Sequence, residues 1–337
     1  MRRVERLDSF MARANAAYYA ARDPFADFTT APEISQVFGE LLGAWAAVTW
    51  QAMGAPVPVL LAEAGPGRGT LMADALRAIG QTAPAFGQAL RLHLVETSPR
   101  LRAVQAEKLP GATWHERIDD LPPGPLLLLA NEFLDALPIR QFVFRDGGWT
   151  ERFVDGGRFV EVLLSRDGGS PSPNPLPQGE GGTPNGTVQE HPEAALPLIS
   201  GLAARLAASG GAALFLDYGP EHSAAGDSLQ AVRDRKPAEP LAEPGSADLT
   251  AHVDFSRLAA AARAAGAAAH GPVPQGKFLA RLGLFQRTGA LARKHPARAR
   301  ALQDAAARLA EPDQMGRLFK AMAVCHPALP PPAGFVE

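Results

Sequence analysis

The sequence predicts an α/β fold: a mostly parallel, Rossmann-like sheet with helices on both faces, into which hairpins and further helices are inserted. Three observations point there. Short apolar runs alternate with stretches of helical spacing along most of the 337 residues, the pattern of repeated strand–helix units. One run, Leu126–Ala130, is apolar at every position, as a strand covered on both faces has to be. The first run is stopped by Glu63-Ala64-Gly65-Pro66-Gly67-Arg68-Gly69, which leads straight into a helical pattern.

In chain order, Val57–Ala62 is the first strand, and Leu71, Met72, Ala75, Leu76 and Ile79 recur at helical spacing behind the glycine turn. Leu90–Glu96 reads as a second strand, Pro99–Lys108 as a second helix, Ala112–His115 as a short third strand and Leu126–Ala130 as the fourth. Gln141–Phe144 and Arg158–Leu164 lie around Asp146-Gly147-Gly148 and Asp155-Gly156-Gly157, turn signals that mark inserted antiparallel hairpins. A helix over Pro197–Ala208 leads to a fifth strand at Ala212–Asp217. Asp254 suits the N-cap of a helix reaching Ala265, and Phe319–Cys325 is a last strand. The chain thus divides into an N-terminal helical segment (1–50), a first half of the core (51–140), the hairpins (141–165), an insertion (166–186) and a second half with added helices (187–337). In the insertion, 11 of the 21 residues from Arg166 to Gly186 are Gly or Pro, too few anchors for a packed core, so it is expected to be disordered.

Composition narrows the function. Hydrophobic residues make up 46% and charged ones 20%, enough for an ordinary buried core. A net charge of −2 supplies no field for collecting nucleic acid or an anionic membrane. The single cysteine, Cys325, allows no disulfide within the chain and reads as an inert core residue. No apolar stretch is long enough to span a bilayer, and no metal-site, P-loop or nucleophile-elbow pattern occurs. The expected location is the cytoplasm, or the mitochondrial matrix if the chain is eukaryotic.

Glycines let a backbone turn sharply and let a ligand approach where a Cβ would intrude, and the following helix offers free N–H groups. Such a turn alone would also suit a dinucleotide, or nothing. Two acids favour S-adenosylmethionine. Glu63 stands two positions before Gly65, within reach of the cofactor's ammonium end. Glu96 ends the second strand 31 positions after Gly65, well past the roughly 20 of a dinucleotide fingerprint, and can accept from both ribose hydroxyls. At the end of the fourth strand, Asn131-Glu132-Phe133-Leu134-Asp135 sets polar groups at the cleft above the sheet. If the methyl acceptor is a guanidinium, carboxylates are what it needs, so Glu132 is the first catalytic candidate and Asp135 the second. Asn131 and Asp135 equally suit the capping of a turn. Asp217-Tyr218-Gly219 ends the fifth strand on the same rim, and His252 is a further candidate base.

Several of these stretches resemble the MidA-like family, that of the mitochondrial complex I assembly-factor protein arginine methyltransferase. Two long and specific ones are Asp27-Phe28-Thr29-Thr30-Ala31-Pro32-Glu33-Ile34-Ser35-Gln36-Val37-Phe38-Gly39-Glu40 and Asp248 to Phe255. Glu63 to Asp74, His93 to Pro99, Ala130 to Pro138, Asp217-Tyr218-Gly219, Ser228-Leu229-Gln230, Gln275 to Gly283 and Met315 to Lys320 extend the likeness from about Tyr18 to the C-terminus. The resemblance implies a class I methyltransferase fold with S-adenosylmethionine as cofactor, bound by Gly65, Gly67, Gly69 and Glu96, with Glu63 and Asn131 beside them. It implies that Asp27–Glu33 closes over cofactor and substrate, with Thr30 and Glu33 at the site. The implied substrate is a protein arginine, in a partner such as the 49-kDa-type subunit of complex I. Two stretches depart from the family's pattern, Asp23–Phe28, which is shorter, and Ala14–Tyr19. They keep open a non-catalytic assembly chaperone with the same fold, and the spacing to Glu96 speaks against a dinucleotide-dependent oxidoreductase. Replacing Gly168–Thr183 by a short linker should leave melting temperature and cofactor affinity unchanged, as thermal melts and calorimetry would read.

Overall fold

Leu126, Leu127, Leu128 and Leu129 are fully buried, so the strand that carries them can only lie inside a sheet covered on both faces. A computed structural model describes residues 4–22, 29–164 and 183–336 and places that strand at the middle of seven. In chain order these are β1 (Val59–Ala64), β2 (Leu90–Val95), β3 (Thr113–His115), β4 (Leu126–Asn131), β5 (Gly211–Tyr218), β6 (Ala268–Pro274) and β7 (Phe319–Cys325). Across the sheet they run β6-β7-β5-β4-β1-β2-β3. β1 to β5 are parallel to one another, and β7 runs antiparallel to both β5 and β6. The order reverses between β1 and β4, so the carboxyl ends of these two strands flank the crevice where parallel sheets bind ligands.

The described residues form two compact units that interleave along the chain. One, made of 28–135, 196–222 and 253–337, holds the seven-stranded sheet; the other is made of 1–27, 136–195 and 223–252. In the second unit, Arg140–Arg145, Gly148–Asp155 and Arg158–Leu163 form the expected hairpins. Glu5–Arg6 and Val188–His191 join them in one antiparallel sheet. A bidentate ion pair crosses that sheet, Arg140 Nε to Glu151 Oε1 at 2.7 Å and Nη2 to Oε2 at 2.6 Å, with both residues buried. Two parallel N–H···O bonds are what make such burial tolerable. The helix Leu7–Ala21 packs Leu7, Phe10, Met11 and Ala14 onto Ile139, Val154 and Leu249. Its buried Asn15 bonds the N–H and the carbonyl of Leu249 at 3.0 and 2.8 Å, acting as a short piece of strand.

Most elements lie where the sequence puts them, and Pro99–Lys108 and Phe319–Cys325 have the expected bounds. Ser98 and Asp254 accept from Leu101 N and Arg257 N as N-caps. There are corrections. β1 begins and ends two residues later than Val57–Ala62, so Glu63 belongs to the strand itself. β6 and the small sheet of Gln230–Arg233, Lys236–Ala238 and Asp248–Thr250 were not foreseen. Segment 1–50 holds the helices Leu7–Ala21, Ala31–Ile34 and most of Gln36–Ala52, and it is shared between the two units. Most of the Gly/Pro-rich insertion, and Asp27 with Phe28 of the expected closing segment, lie outside the described residues. Cys325 is fully buried, and burial pushes its thiol up to about 11. Among the described residues, no helix is long and apolar enough to cross a membrane.

The helix Gln36–Ala52 lies unusually close to Thr70–Thr82, the helix behind the glycine turn. Gly39 and Gly43, four positions apart, make this approach: a Cβ at Gly43 would stand 2.7 Å from Ala75 O, and one at Gly39 2.7 Å from Leu71 O. Beside them, the buried Glu40 accepts from Arg77 Nη1 at 2.8 Å and Arg287 Nε at 2.6 Å. Backbone atoms cannot yield as a side chain can. Gly43→Val should therefore lower stability by about 1–3 kcal/mol, the cost of overpacking a close contact, as urea unfolding would measure.

Candidate cofactor and catalytic site

The glycine turn after β1 depends on backbone angles that L side chains rarely adopt. Gly65, Gly67 and Gly69 have φ of +67°, +52° and +72°, a region open to glycine at little cost. Space adds a second constraint. A Cβ at Gly65 would lie 3.1 Å from Phe133 Cδ2, and one at Gly69 3.0 Å from Leu109 Cδ1. The turn closes on itself through Gly69 N–H to Pro66 O at 2.7 Å, and Gly65 N–H donates to Val95 O at the end of β2.

The two predicted acids stand at the ends of these strands. Glu63 is buried on β1; among the described residues its Oε2 has no hydrogen-bond partner. Burial first, then the charge of Glu96, push its pKa up to about 8. Glu96 directly follows β2 and is also buried. Its Oε1 accepts from Ser98 N at 2.8 Å and its Oε2 from Gln105 Nε2 at 3.2 Å. Burial raises its pKa, and the Ser98 amide and Gln105 pull against that.

Glu132, just past β4, is a non-glycine residue at φ +51°. Such a conformation persists only where the surroundings hold it. Here its N–H donates to Leu216 O at 2.8 Å, and its Oε1 accepts from Asn131 Nδ2 at 3.0 Å and Ala31 N at 3.3 Å. The result is a carboxylate aimed from the end of the central strand. Burial, followed by Asp135, pushes its pKa up to about 7. Asp135 is itself buried, and Asn131 Oδ1 has no hydrogen-bond partner among the described residues.

Asp217, at the end of β5, does something the sequence did not reveal. Its Oδ2 collects three successive amides, Phe133 N at 3.1 Å, Leu134 N at 2.8 Å and Asp135 N at 3.2 Å, while Oδ1 accepts from Tyr218 N at 2.9 Å. Burial and Asp135 drive its pKa upward, against the amides of Tyr218 and Leu134. Asp217 therefore holds the turn that presents Glu132, Phe133 and Asp135.

The expected closing segment continues this arrangement. Thr30 starts the short helix Ala31–Ile34 through its carbonyl, which accepts from Glu33 N; its side chain makes no capping bond. Glu33 Oε1 accepts from Thr70 Oγ1 at 2.6 Å, which ties the segment to the first residue of the helix behind the glycine turn. His252 lies in the other unit, where its N–H donates to Ser228 Oγ.

Sequence reasoning missed Gln105 and Phe133 along with the role of Asp217. Gln105 carried one signal, a glutamine four positions after Leu101 on the buried face of its helix. The residues suit S-adenosylmethionine. Two buried oxygens without a hydrogen-bond partner among the described residues, Glu63 Oε2 and Asn131 Oδ1, lie at the carboxyl ends of β1 and β4 beside the switch point, where a ligand rich in polar hydrogens would satisfy them.

Comparison with known proteins agrees. A family described as "Putative S-adenosyl-L-methionine-dependent methyltransferase" matches residues 41–273. The mitochondrial protein arginine methyltransferase NDUFAF7 homolog of Drosophila melanogaster is 37% identical, over 95% of this chain and 80% of its own. The human mitochondrial protein arginine methyltransferase NDUFAF7 is 36% identical, over 91% and 76%. A solved structure from Burkholderia thailandensis, bound to S-adenosyl-homocysteine, is 26% identical with a TM-score of 0.79 and covers 98% of this chain and 90% of that one. A tight glycine turn after the first strand, strand-end acids and a seven-stranded sheet of this order thus meet in one chain, and the chain belongs to this family: it is an S-adenosylmethionine-dependent methyltransferase of the MidA-like, NDUFAF7-related family.

Proposed function

We propose that the chain methylates an arginine of a protein partner, and that Glu132 receives the guanidinium. The observation that carries this is the group of three acids at the ends of β4 and β5, Glu132, Asp135 and Asp217: burial and then the charge of Asp135 raise the pKa of Glu132, and burial, Asp135 and Glu132 raise that of Asp217. Without a cation such a group holds protons. An arriving guanidinium, always charged, turns the same burial into a strong binding site. The relatives named as protein arginine methyltransferases support the substrate class. In the proposed roles, Glu63, Asn131, Glu96 and the three glycines hold the cofactor, while Thr30 and Glu33 belong to the segment that closes over it. The partner in this reading is a complex I subunit of the 49-kDa type. The mitochondrial relatives support the matrix as its compartment in a eukaryote, with the cytoplasm its counterpart in a bacterium.

The bound cofactor supplies an electrophilic methyl group on a sulfonium. The residues then have three tasks. Glu132 holds the guanidinium plane so that one nitrogen faces that methyl group. It would stabilise the positive charge on the guanidino group as the N–C bond forms and the methyl–sulfur bond breaks, its electron pair staying on the sulfur. It also accepts the proton that the nitrogen loses, a task suited to a pKa near neutrality. Asp217 contributes indirectly, by keeping the 133–135 turn in place.

Two measurements follow. Glu132→Gln should leave affinity for S-adenosyl-homocysteine unchanged while methyl transfer to an arginine-containing partner falls by roughly two decades or more; full transfer would remove Glu132 from the chemistry. The second concerns pH. In the folded protein Glu63 and Glu132 keep protons up to about 8 and about 7, which the unfolded chain releases near the ordinary glutamate value. Their contribution to stability is thus complete at acid pH and is lost as pH rises to about 8. The ligand-free protein should melt lower at pH 8 than at pH 5, and the Glu63→Gln/Glu132→Gln double variant should show a flatter slope. An equal slope would mean that neither acid is perturbed.

A further inference from the structure

Gln105 takes part in none of these steps, yet it is fully buried and its amide is used at both ends. An indole N–H can only donate, so the 2.8 Å contact from Trp114 Nε1 fixes Gln105 Oε1 toward the indole. The amide cannot flip, and its Nε2 protons point the other way. They reach Gly67 O at 2.7 Å and Glu96 Oε2 at 3.2 Å. One side chain thereby ties the middle of the glycine turn to the carboxylate at the end of β2. The other carboxylate oxygen is held by Ser98 N. Glu96 is thus fixed at both oxygens, and even with the Thr97 amide also drawn to it the carboxylate has acceptor capacity to spare.

We propose that Gln105 is a positioning residue for the cofactor's ribose, locking Glu96 against the glycine turn so that the spare lone pairs of the carboxylate face the two ribose hydroxyls. This rests on the assignment of Glu96 to the ribose. It also gives Trp114 a function, since the indole decides which end of the Gln105 amide faces Glu96. An apolar residue at 105 would leave Gly67 O and Glu96 each short of a donor. It would also remove one of the bonds that oppose the upward pull of burial on Glu96, so the acid would be both less fixed and less charged.

The test is a double-mutant cycle on S-adenosyl-homocysteine affinity, measured by calorimetry with wild type, Glu96→Ala, Gln105→Met and the double variant. Gln105→Met should weaken binding about tenfold, the scale of one hydrogen bond to a charged group. In the Glu96→Ala background the same change should cost less than about twofold, because there is no carboxylate left to position. Equal losses in both backgrounds would show that Gln105 only packs, and would overturn the proposal while leaving Glu96 in its role. Wild-type affinity in Glu96→Ala would overturn the ribose assignment itself, and the proposal with it. Should Gln105→Met not fold, Trp114→Phe keeps the ring and releases the amide. It should weaken binding in the wild-type background and not in Glu96→Ala.

Discussion

A single buried carboxylate holds the rim above the sheet together. Asp217 gathers the amides of Phe133, Leu134 and Asp135 on one oxygen and that of Tyr218 on the other. Those N–H groups follow a central strand whose ladder has ended, so without an acceptor they would be buried and unpaired, at a cost of about 1–3 kcal/mol each. Joining the ends of β4 and β5 in this way fixes the turn that carries Phe133 against Gly65 and sets Glu132 in its left-handed conformation. The glycine turn and the acids of the rim are thereby built on the same few residues.

Two further ties extend this rim. Lys320, buried on β7, donates to Gly219 O at 3.0 Å and Leu318 O at 3.2 Å, which closes the far side of the Asp217-Tyr218-Gly219 stretch. Glu33 to Thr70 and Ala31 to Glu132 bring the segment before Gln36–Ala52 to the glycine turn and to the acid. The segment is thus held at two places, the start of the helix behind the glycine turn and the acid after β4, through polar bonds. Bonds of that kind exchange readily with water or other polar groups.

What the sequence made legible follows from burial. β4 and β5 are covered on both faces, so their apolar runs stand out, and the glycine turn is legible because only glycine tolerates its angles. Glu63, Glu96 and Glu132 were found because an acid directly after an apolar run has few structural uses. β6 escaped because Ala268-Ala269-His270-Gly271-Pro272-Val273-Pro274 is only partly buried and has one β-branched residue. The helices after it contribute to the core through alanines as much as through larger residues. Asp217 was seen on the rim but not as the holder of the 133–135 turn, since its partners are backbone amides 82 to 84 positions away. Gln105 was missed for a related reason: both the residues it joins and the indole that orients it come from separate elements.

The state of Cys325 has a practical use. It is the only cysteine in the chain, it lies inside the sheet, and its thiol ionises only at about 11. Thiol reagents attack the thiolate, so near neutral pH the native protein offers them almost no target. Any cysteine introduced on the surface would then be the sole reactive one. A fluorophore or spin label at Thr29, exposed two residues before the helix Ala31–Ile34, would report on that stretch against an unlabelled background, with no native residue to remove first.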